Sequence, residues 1–361
     1  MRRFIVVAVA LVATFSAMAE EIKWVDATEL GIHGYTQKTD KSPYYRFDHT
    51  PWNFTSEIAI SHAKKPAGLY LLFKSNTKQI WASWENVPKV MGDNMTGILQ
   101  HGLDLYIKAD GKWKFAAVGR VETRPEDNKN CRSIIRELPE GEKEFLLYLP
   151  MWCELTSLEI GVNNNATIVG LPSSFRHKVI VHGSSITHGA SASRPGLTYT
   201  ALMSRHLGID FVNFGFSGEC KMQPEFLAFL KSVEADAFIF DAFSNPSPEE
   251  IEERLENFVT ELVKAHPGKP LIFFQCINHY SQNSNYNTYI KRKRRCEIAT
   301  RIMARLTKEY KDVYFLDEGV IVGEDGTIDN AHPNDLGFYR FVNAYQPKIA
   351  KILKKYGIKG N

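Results

Sequence analysis

The sequence has few cysteines, little net charge and no apolar run long enough to cross a bilayer. Five cysteines in 361 residues, at 131, 153, 220, 276 and 296, are too sparse for a disulfide scaffold. Their odd number allows at most two disulfides, and the absence of C-x-x-C spacing argues against a structural zinc site. With 24 glycines and 16 prolines the chain is neither collagen-like nor of low complexity. The formal net charge is +3, and Arg2 and Arg3 at the amino terminus account for part of it, so nothing asks for a nucleic-acid partner. A spanning helix needs about 20 apolar residues. The run from Phe4 to Ala17 falls short of that, and no later stretch reaches it without charges.

What is present is the composition of a folded globular protein: 44% hydrophobic, 24% charged and 12% aromatic. That much aromatic surface excludes disorder as the main state. The length suggests about two domains. Arg2-Arg3, the apolar stretch and Ala17-Met18-Ala19 make a basic region, a hydrophobic region and a small-x-small cleavage site. Together they predict a signal peptide over residues 1–19 and an exported, soluble mature chain from Glu20. The first cysteine is Cys131, so no thiol near the cleavage site is available to carry a lipid. An oxidising compartment permits disulfides without requiring them.

Two halves of the chain follow different patterns. Residues 20–172 show short apolar runs, such as Glu57-Ile58-Ala59-Ile60, Gly68 to Phe73 and Lys143 to Leu149. Turns separate them, as at Lys108-Ala109-Asp110-Gly111 and Leu138-Pro139-Glu140-Gly141, and no amphipathic helix stands out. This predicts an all-β sandwich. Residues 173–361 carry continuous apolar runs at Val179–Val181, Phe211–Phe214, Ala237–Phe240, Leu271–Phe274 and Val313–Leu316. Continuous runs suit strands buried on both faces of a parallel sheet. Helical stretches alternate with them: one opens at Pro246-Ser247-Pro248-Glu249-Glu250 and closes at Pro267-Gly268, and another covers about 287–310. All six tryptophans (24, 52, 81, 84, 113 and 152) lie in the first half. They are assigned to the sandwich core, with an aromatic platform for a sugar ring as the competing reading. The basic run Lys291 to Arg295 is read as a solvated helix face.

In an open α/β sheet, functional groups collect beyond the carboxyl ends of the strands. Those ends carry Gly183-Ser184-Ser185-Ile186, Asn213-x-Gly215-x-Ser217-Gly218, Asp241 to Asn245, and Asp329-x-x-His332-Pro333-Asn334. Singly each block is an ordinary turn or cap. Together they supply an acyl-transfer site: a serine hydroxyl, a histidine to take its proton, a carboxylate to orient the ring, and amide donors for an oxyanion. The G-x-S-x-G elbow of α/β-hydrolases is absent, since Thr187 stands at its last position.

These four blocks resemble the SGNH/GDSL hydrolases, in that family's order. Upstream, His101-Gly102-Leu103-Asp104-Leu105-Tyr106 resembles the G-x-D-L-Y signature of the β-rich domain that precedes one branch of them. The resemblance implies an α/β domain with a flavodoxin-like five-stranded parallel sheet (residues 173–361), preceded by an all-β, jelly-roll-like sandwich (residues 20–172). It implies Ser185 as nucleophile, His332 as general base and Asp329 as its orienting group. The oxyanion hole would be the backbone amides of Ser185 and Gly218 with the Asn245 side chain. The chain departs from the family pattern at Ser184, where the family name carries Asp, and at Ser244, where Gly is usual. The spacing Gly-x-Ser favours Ser185 over Ser184 as the attacking residue. The expected activity is removal of a short acyl group, acetyl foremost, from a carbohydrate or glycoside through an acyl-enzyme. No metal or organic cofactor is implied. A lipid esterase or thioesterase for longer chains, and a carbohydrate-binding protein with an inactive hydrolase half, are the alternatives. The sequence leaves the oligomeric state open.

Overall fold

The computed structural model describes residues 21–88, 92–121, 128–277, 283–319 and 321–360. The expected signal peptide, residues 1–19, lies outside the described residues. No helix among them is long and apolar enough to cross a membrane.

The first half forms two antiparallel sheets. One has the strand order β1-β9-β4-β7, from β1 (Ile22–Asp26), β4 (Ile80–Asn86), β7 (Lys129–Ile135) and β9 (Leu155–Asn163). The other runs β10-β3-β8-β5-β6, with β2 added beside β3. Its strands are β2 (Ile32–His33), β3 (Tyr70–Ser75), β5 (Leu103–Ala109), β6 (Lys112–Gly119), β8 (Lys143–Tyr148) and β10 (Ile168–Gly170). In β4 alternate residues are buried, as expected where one face meets a core and the other does not. Trp84 on β4 lies in that core with Phe73 and Phe145, whose rings stack 5.2 Å apart. Trp152 is buried as well, but Trp24 is exposed and Trp52, Trp81 and Trp113 are only half-buried. The sandwich-core reading therefore holds for Trp84 alone, since Trp152 is buried against the parallel-sheet half.

The run Glu57-Ile58-Ala59-Ile60 is a correction to the sequence reading. It begins a helix, not a strand. Among the described residues three short α-helices sit in this half, α1 (Ala27–Leu30), α2 (Glu57–Ala63) and α3 (Gly97–His101), and the side chains of Asp26, Ser56 and Thr96 cap them. In α2 the buried residues are Ala59, His62 and Ala63, while Ile58 is 56% exposed. The helical periodicity was carried by small residues, and the isoleucines concealed it.

The second half is a five-stranded parallel sheet with helices on both faces. Its strands are β11 (Arg176–Gly183), β12 (Ile209–Gly215), β13 (Ala237–Asp241), β14 (Leu271–Phe274) and β15 (Val313–Leu316), in the order β12-β11-β13-β14-β15. Counted from the first parallel strand this is 2-1-3-4-5, the flavodoxin-like order. The chain leaves β11 to one side for β12 and returns to the other for β13, so a crevice opens beyond the carboxyl end of β11. A four-residue helix, α4 (Ser185–His188), follows β11 directly. Helices α5 (Tyr199–Leu207) and α9 (Asp335–Lys355) cover one face of the sheet. Helices α6 (Pro224–Ser232), α7 (Pro248–Ala265) and α8 (Tyr286–Glu309) cover the other. A capping box between Ser247 and Glu250 starts α7, with Pro248 in its first turn. On α8, Lys291, Lys293 and Arg294 are exposed, and Arg294 pairs with Glu249 at 3.0 Å, as a solvated face requires. Arg292 and Arg295 of the same run turn inward to the carbonyls of Cys276 and Ser244.

The two halves are locked together by buried polar contacts. Asp104 of the G-x-D-L-Y signature is fully buried and accepts from Arg194 Nη1 at 2.8 Å and from the Gly196 amide at 2.8 Å. Tyr106 of the same signature accepts from Arg194 Nη1 through its hydroxyl at 2.6 Å. Arg46, also fully buried, donates to the Gly215 carbonyl at 3.0 Å, behind the end of β12. All five cysteines are free thiols.

His182 on β11 is fully buried; its Nδ1 donates to the Phe214 carbonyl, and Cys220 Sγ lies 3.5 Å from Nε2. Burial pushes its pKa down to about 4. A histidine held neutral in the fold but titrating normally when unfolded stabilises the protein fully above about pH 6.5, and the contribution is lost as pH falls toward the folded value. Urea unfolding should therefore show a loss of about 3 kcal/mol between pH 7.5 and pH 4 from this group. A His182→Gln variant, less stable at neutral pH, should lose correspondingly less on acidification. An identical loss in both proteins would remove His182 as the cause.

Candidate active site

Ser185 stands at the turn from β11 into α4. Ser184 caps that helix, its Oγ accepting from the Ile186 amide at 3.1 Å. Ser185 is thus the first helical residue, where the backbone N–H has no intrahelical partner. The turn fits only because β12 approaches closely: a Cβ on Gly215 would lie 2.1 Å from the His188 nitrogen. Asn213, one strand over, donates from Nδ2 to the Thr187 carbonyl at 2.6 Å and accepts from the Gly215 amide at 3.0 Å. The Asn-x-Gly pair therefore anchors the end of α4.

Beneath the turn lies Asp241, at the end of β13, buried to 1% exposure. Its Oδ2 accepts from the Ser184 amide at 3.1 Å, the Ser184 hydroxyl and the Thr187 hydroxyl, and its Oδ1 accepts from the Ser244 hydroxyl at 2.5 Å. Burial raises its pKa, and the hydrogen bonds from Ser184 and Ser244 oppose that rise. The two departures from the family pattern, Ser184 and Ser244, thus share one carboxylate. Ser184 Oγ is engaged there and fully buried.

His332 and Asp329 come from the loop between β15 and α9. Asn334 caps α9, accepting from the Gly337 amide at 3.1 Å, and its Nδ2 donates to the Asp325 carbonyl at 2.8 Å, which closes the loop on itself. Within it, Asp329 Oδ1 accepts from the amides of Ala331 (3.0 Å) and His332 (2.8 Å). Asp329 Oδ2 lies 2.7 Å from His332 Nδ1, and His332 Nε2 lies 2.9 Å from Ser185 Oγ. Partial burial acts to raise the Asp329 pKa, but the hydrogen bonds from the His332 amide and ring outweigh it and hold the carboxylate below its ordinary range. An ionised Asp329 fixes the proton of His332 on Nδ1 and leaves Nε2 free to accept from the serine hydroxyl.

Gly218 and Asn245 lie on the loops after β12 and β13, at the same edge of the sheet. Gly218 adopts φ +75°, which favours glycine, and a Cβ there would meet nothing within 4 Å. Asn245 Oδ1 accepts from the Cys220 amide at 3.4 Å, tying the two loops and leaving Nδ2 as a donor. Arg295 holds the neighbouring Ser244 carbonyl at 3.0 Å. Among the described residues no group of three or more His, Cys, Asp or Glu side chains could hold a metal ion.

The structure thus brings Ser185, His332 and Asp329 into one hydrogen-bonded line. Sequence reasoning assigned no role to Asp241 or Asn94. Asp241 ends an otherwise apolar run, the one signal it offered. Asn94, from a loop of the sandwich half, donates from Nδ2 to Asp329 Oδ2 at 3.2 Å. Its own carbonyl accepts from Ser191 Oγ at 3.0 Å. Nothing local marks a residue 235 positions from its partner.

Both halves of the chain resemble known proteins. Residues 176–350 match the model of the GDSL-like lipase/acylhydrolase family, and residues 22–168 match that of the N-terminus of SGNH-hydrolase-type esterases, named GxDLY. A solved structure described as a GDSL-like lipase from Bacteroides ovatus is 40% identical, with a TM-score of 0.87, over 92% of this chain and 98% of that one. A salicylyl-acyltransferase from a tetracycline biosynthetic pathway shares the fold at 18% identity and a TM-score of 0.67, over 93% and 98% of the two chains. An acetyl xylan esterase from the rumen bacterium Butyrivibrio proteoclasticus does so at 12% identity and 0.57, over 92% and 99%. A search of curated proteins finds no match.

The contact from Asn94 makes a prediction. Asn94→Ala should slow labelling of Ser185 by a fluorophosphonate about fivefold, the worth of about one hydrogen bond to a charged group at a partly exposed site. Its melting temperature should stay near the parent's. Unchanged labelling would show that the sandwich loop does not steady Asp329.

Proposed function

The chain belongs to the GDSL-like lipase/acylhydrolase family and is an ester-hydrolysing serine hydrolase; from that premise we propose that it removes short acyl groups, acetyl foremost, from carbohydrates through an acyl-enzyme on Ser185. The observation that carries the reading is the continuous path from Ser185 Oγ to His332 Nε2 (2.9 Å) and from Nδ1 to Asp329 (2.7 Å). In the first step Ser185 Oγ attacks the ester carbonyl and passes its proton to His332 Nε2. The negative charge that develops on the carbonyl oxygen meets the amides of Ser185 and Gly218 and the Asn245 side chain. Collapse expels the alcohol, which takes the proton from His332 and leaves the acyl group on Ser185. Water, deprotonated by the same histidine, then frees the acid and restores the serine.

The carbohydrate substrate draws support from the likeness in fold to an acetyl xylan esterase and from the tryptophans left half-open in the sandwich. Export draws support from the basic, apolar and small-x-small pattern of residues 1–19. We divide the chain accordingly into a signal peptide (1–19), a sandwich domain (20–172) and a hydrolase domain (173–361). The burial of Ser184 Oγ against Asp241 supports Ser185 as the attacking residue.

Release of 4-nitrophenol from its acetate tests the reading. Ser185→Ala should fall to background with the fold intact, and Asn245→Ala should lose about 10²–10³ in rate, as loss of one oxyanion donor does elsewhere. Parent-like turnover by Ser185→Ala would move the nucleophile elsewhere. Rates that climb from acetate to octanoate would replace the carbohydrate acetylesterase with an esterase for longer chains.

A further inference from the structure

A second concavity lies away from Ser185, at the seam between β6 of the sandwich and helices α5 and α9. It is a groove of about 530 Å³ walled by Trp113, Phe115, Arg194, Arg205 and Tyr339. A hollow of about 370 Å³ adjoins it, and both share Lys112, Trp113, Arg205 and His206. These volumes suit a small ligand. Two features distinguish the surface. Its aromatic rings are partly open: Phe115 is 51% exposed with the Arg194 guanidinium 3.9 Å from its ring, and Tyr339 is 44% exposed. Among the described residues that wall either part there is no carboxylate, and the charged ones are Lys and Arg.

Neighbouring acids neutralise only some of that charge. Asp104 holds Arg194, Asp110 holds Lys114, and Glu144 holds Lys108. Lys112 forms no ion pair among the described residues. Arg205, stacked 4.1 Å over Tyr106, hydrogen-bonds neutral acceptors among the described residues, Tyr148 Oη at 3.2 Å and the Gly196 carbonyl at 2.7 Å. We propose that this groove is a glycan-binding subsite for sugars bearing a carboxylate, a hexuronate ring lying on the Trp113–Phe115 surface with its carboxylate toward Lys112 and Arg205. Flat aromatic faces bind the apolar face of a sugar ring, and a carboxylate matches an ammonium and a guanidinium in charge and geometry. A nucleic acid fits less well, because the chain carries a net charge of only +3.

The wall of the groove is tied to the start of the helix that follows the candidate base. Ser193, next to Arg194, donates its amide to Asp335 Oδ1 at 2.8 Å, and Asp335 begins α9 three residues after His332. Tyr339, four residues on, stands about 6 Å further along the helix. One glycan chain occupying both places would hold an acylated residue near Ser185 while a uronate rests in the groove.

Binding can be read without catalysis. Full-length protein carrying Ser185→Ala is titrated calorimetrically with tetragalacturonate, xylotetraose and a short oligodeoxynucleotide. Tetragalacturonate alone should bind, more weakly as salt rises. Adding Trp113→Ala should weaken it about tenfold, and Lys112→Ala about threefold. Phe115→Ala should weaken it as well, with a melting temperature near the parent's. With Ser185 restored, all three variants should hydrolyse 4-nitrophenyl acetate at the parental rate. Equal binding of xylotetraose, equal binding of the oligonucleotide, no binding of tetragalacturonate, or binding indifferent to these substitutions would each overturn the proposal. None of those outcomes touches the esterase reading, which rests on Ser185.

Discussion

A carboxylate removed from water governs the candidate site. Asp241 sits at the end of a strand buried on both faces, and all its hydrogen bonds come from the loops it organises. Ser184 is held so that it caps α4, which fixes where Ser185 projects. Thr187 is held one turn along the same helix, and Ser244 is held beside Asn245. Taking the carboxylate away would leave three buried hydroxyls without their acceptor, a large cost for a single site. The loops after β11 and β13, on the two sides of the crevice, thus move as one body.

The sandwich is part of that body. Arg194 binds Asp104 and Tyr106 across the seam, Arg46 reaches the end of β12, and Asn94 touches Asp329. A buried ion pair adds little net stability, because desolvation offsets most of the attraction, yet removing one partner strands a charge. What such pairs supply here is register. They fix the sandwich against the loops that hold the serine and the histidine. The G-x-D-L-Y signature therefore has a physical meaning: its aspartate and tyrosine receive an arginine from the other half. Trp152 stacks on His188 at 4.0 Å and adds an apolar contact between the last helical residue of α4 and the sandwich.

Legibility in the sequence followed the range of the interactions. All five parallel strands were readable because burial on both faces leaves continuous apolar runs, which here alternate with helical stretches. The start of α7 was readable because its cap is built from four adjacent residues, Ser247 to Glu250. Helix α2 was misread: its buried face is Ala59, His62 and Ala63, and the outward Ile58 beside the partly buried Ile60 gave it the look of a strand. On β4, Trp84 turns into the sandwich core and Trp81, on the other face of the strand, stays half-buried. Composition carries no record of that.

The sequence by itself determined the parts and their local geometry. Asp329 and His332 meet within one loop, three residues apart, and Ser185 follows its strand by two residues, so short-range backbone geometry sets both. Only the tertiary structure decided that they meet each other. Ser185 and His332 are 147 residues apart, and the distance between them depends on the strand order of the whole sheet. The same holds for Asp241 beneath Ser184, Asn94 against Asp329 and the cationic groove between β6 and α9. Each joins segments with no local reason to be neighbours, and packing of the two halves places them together.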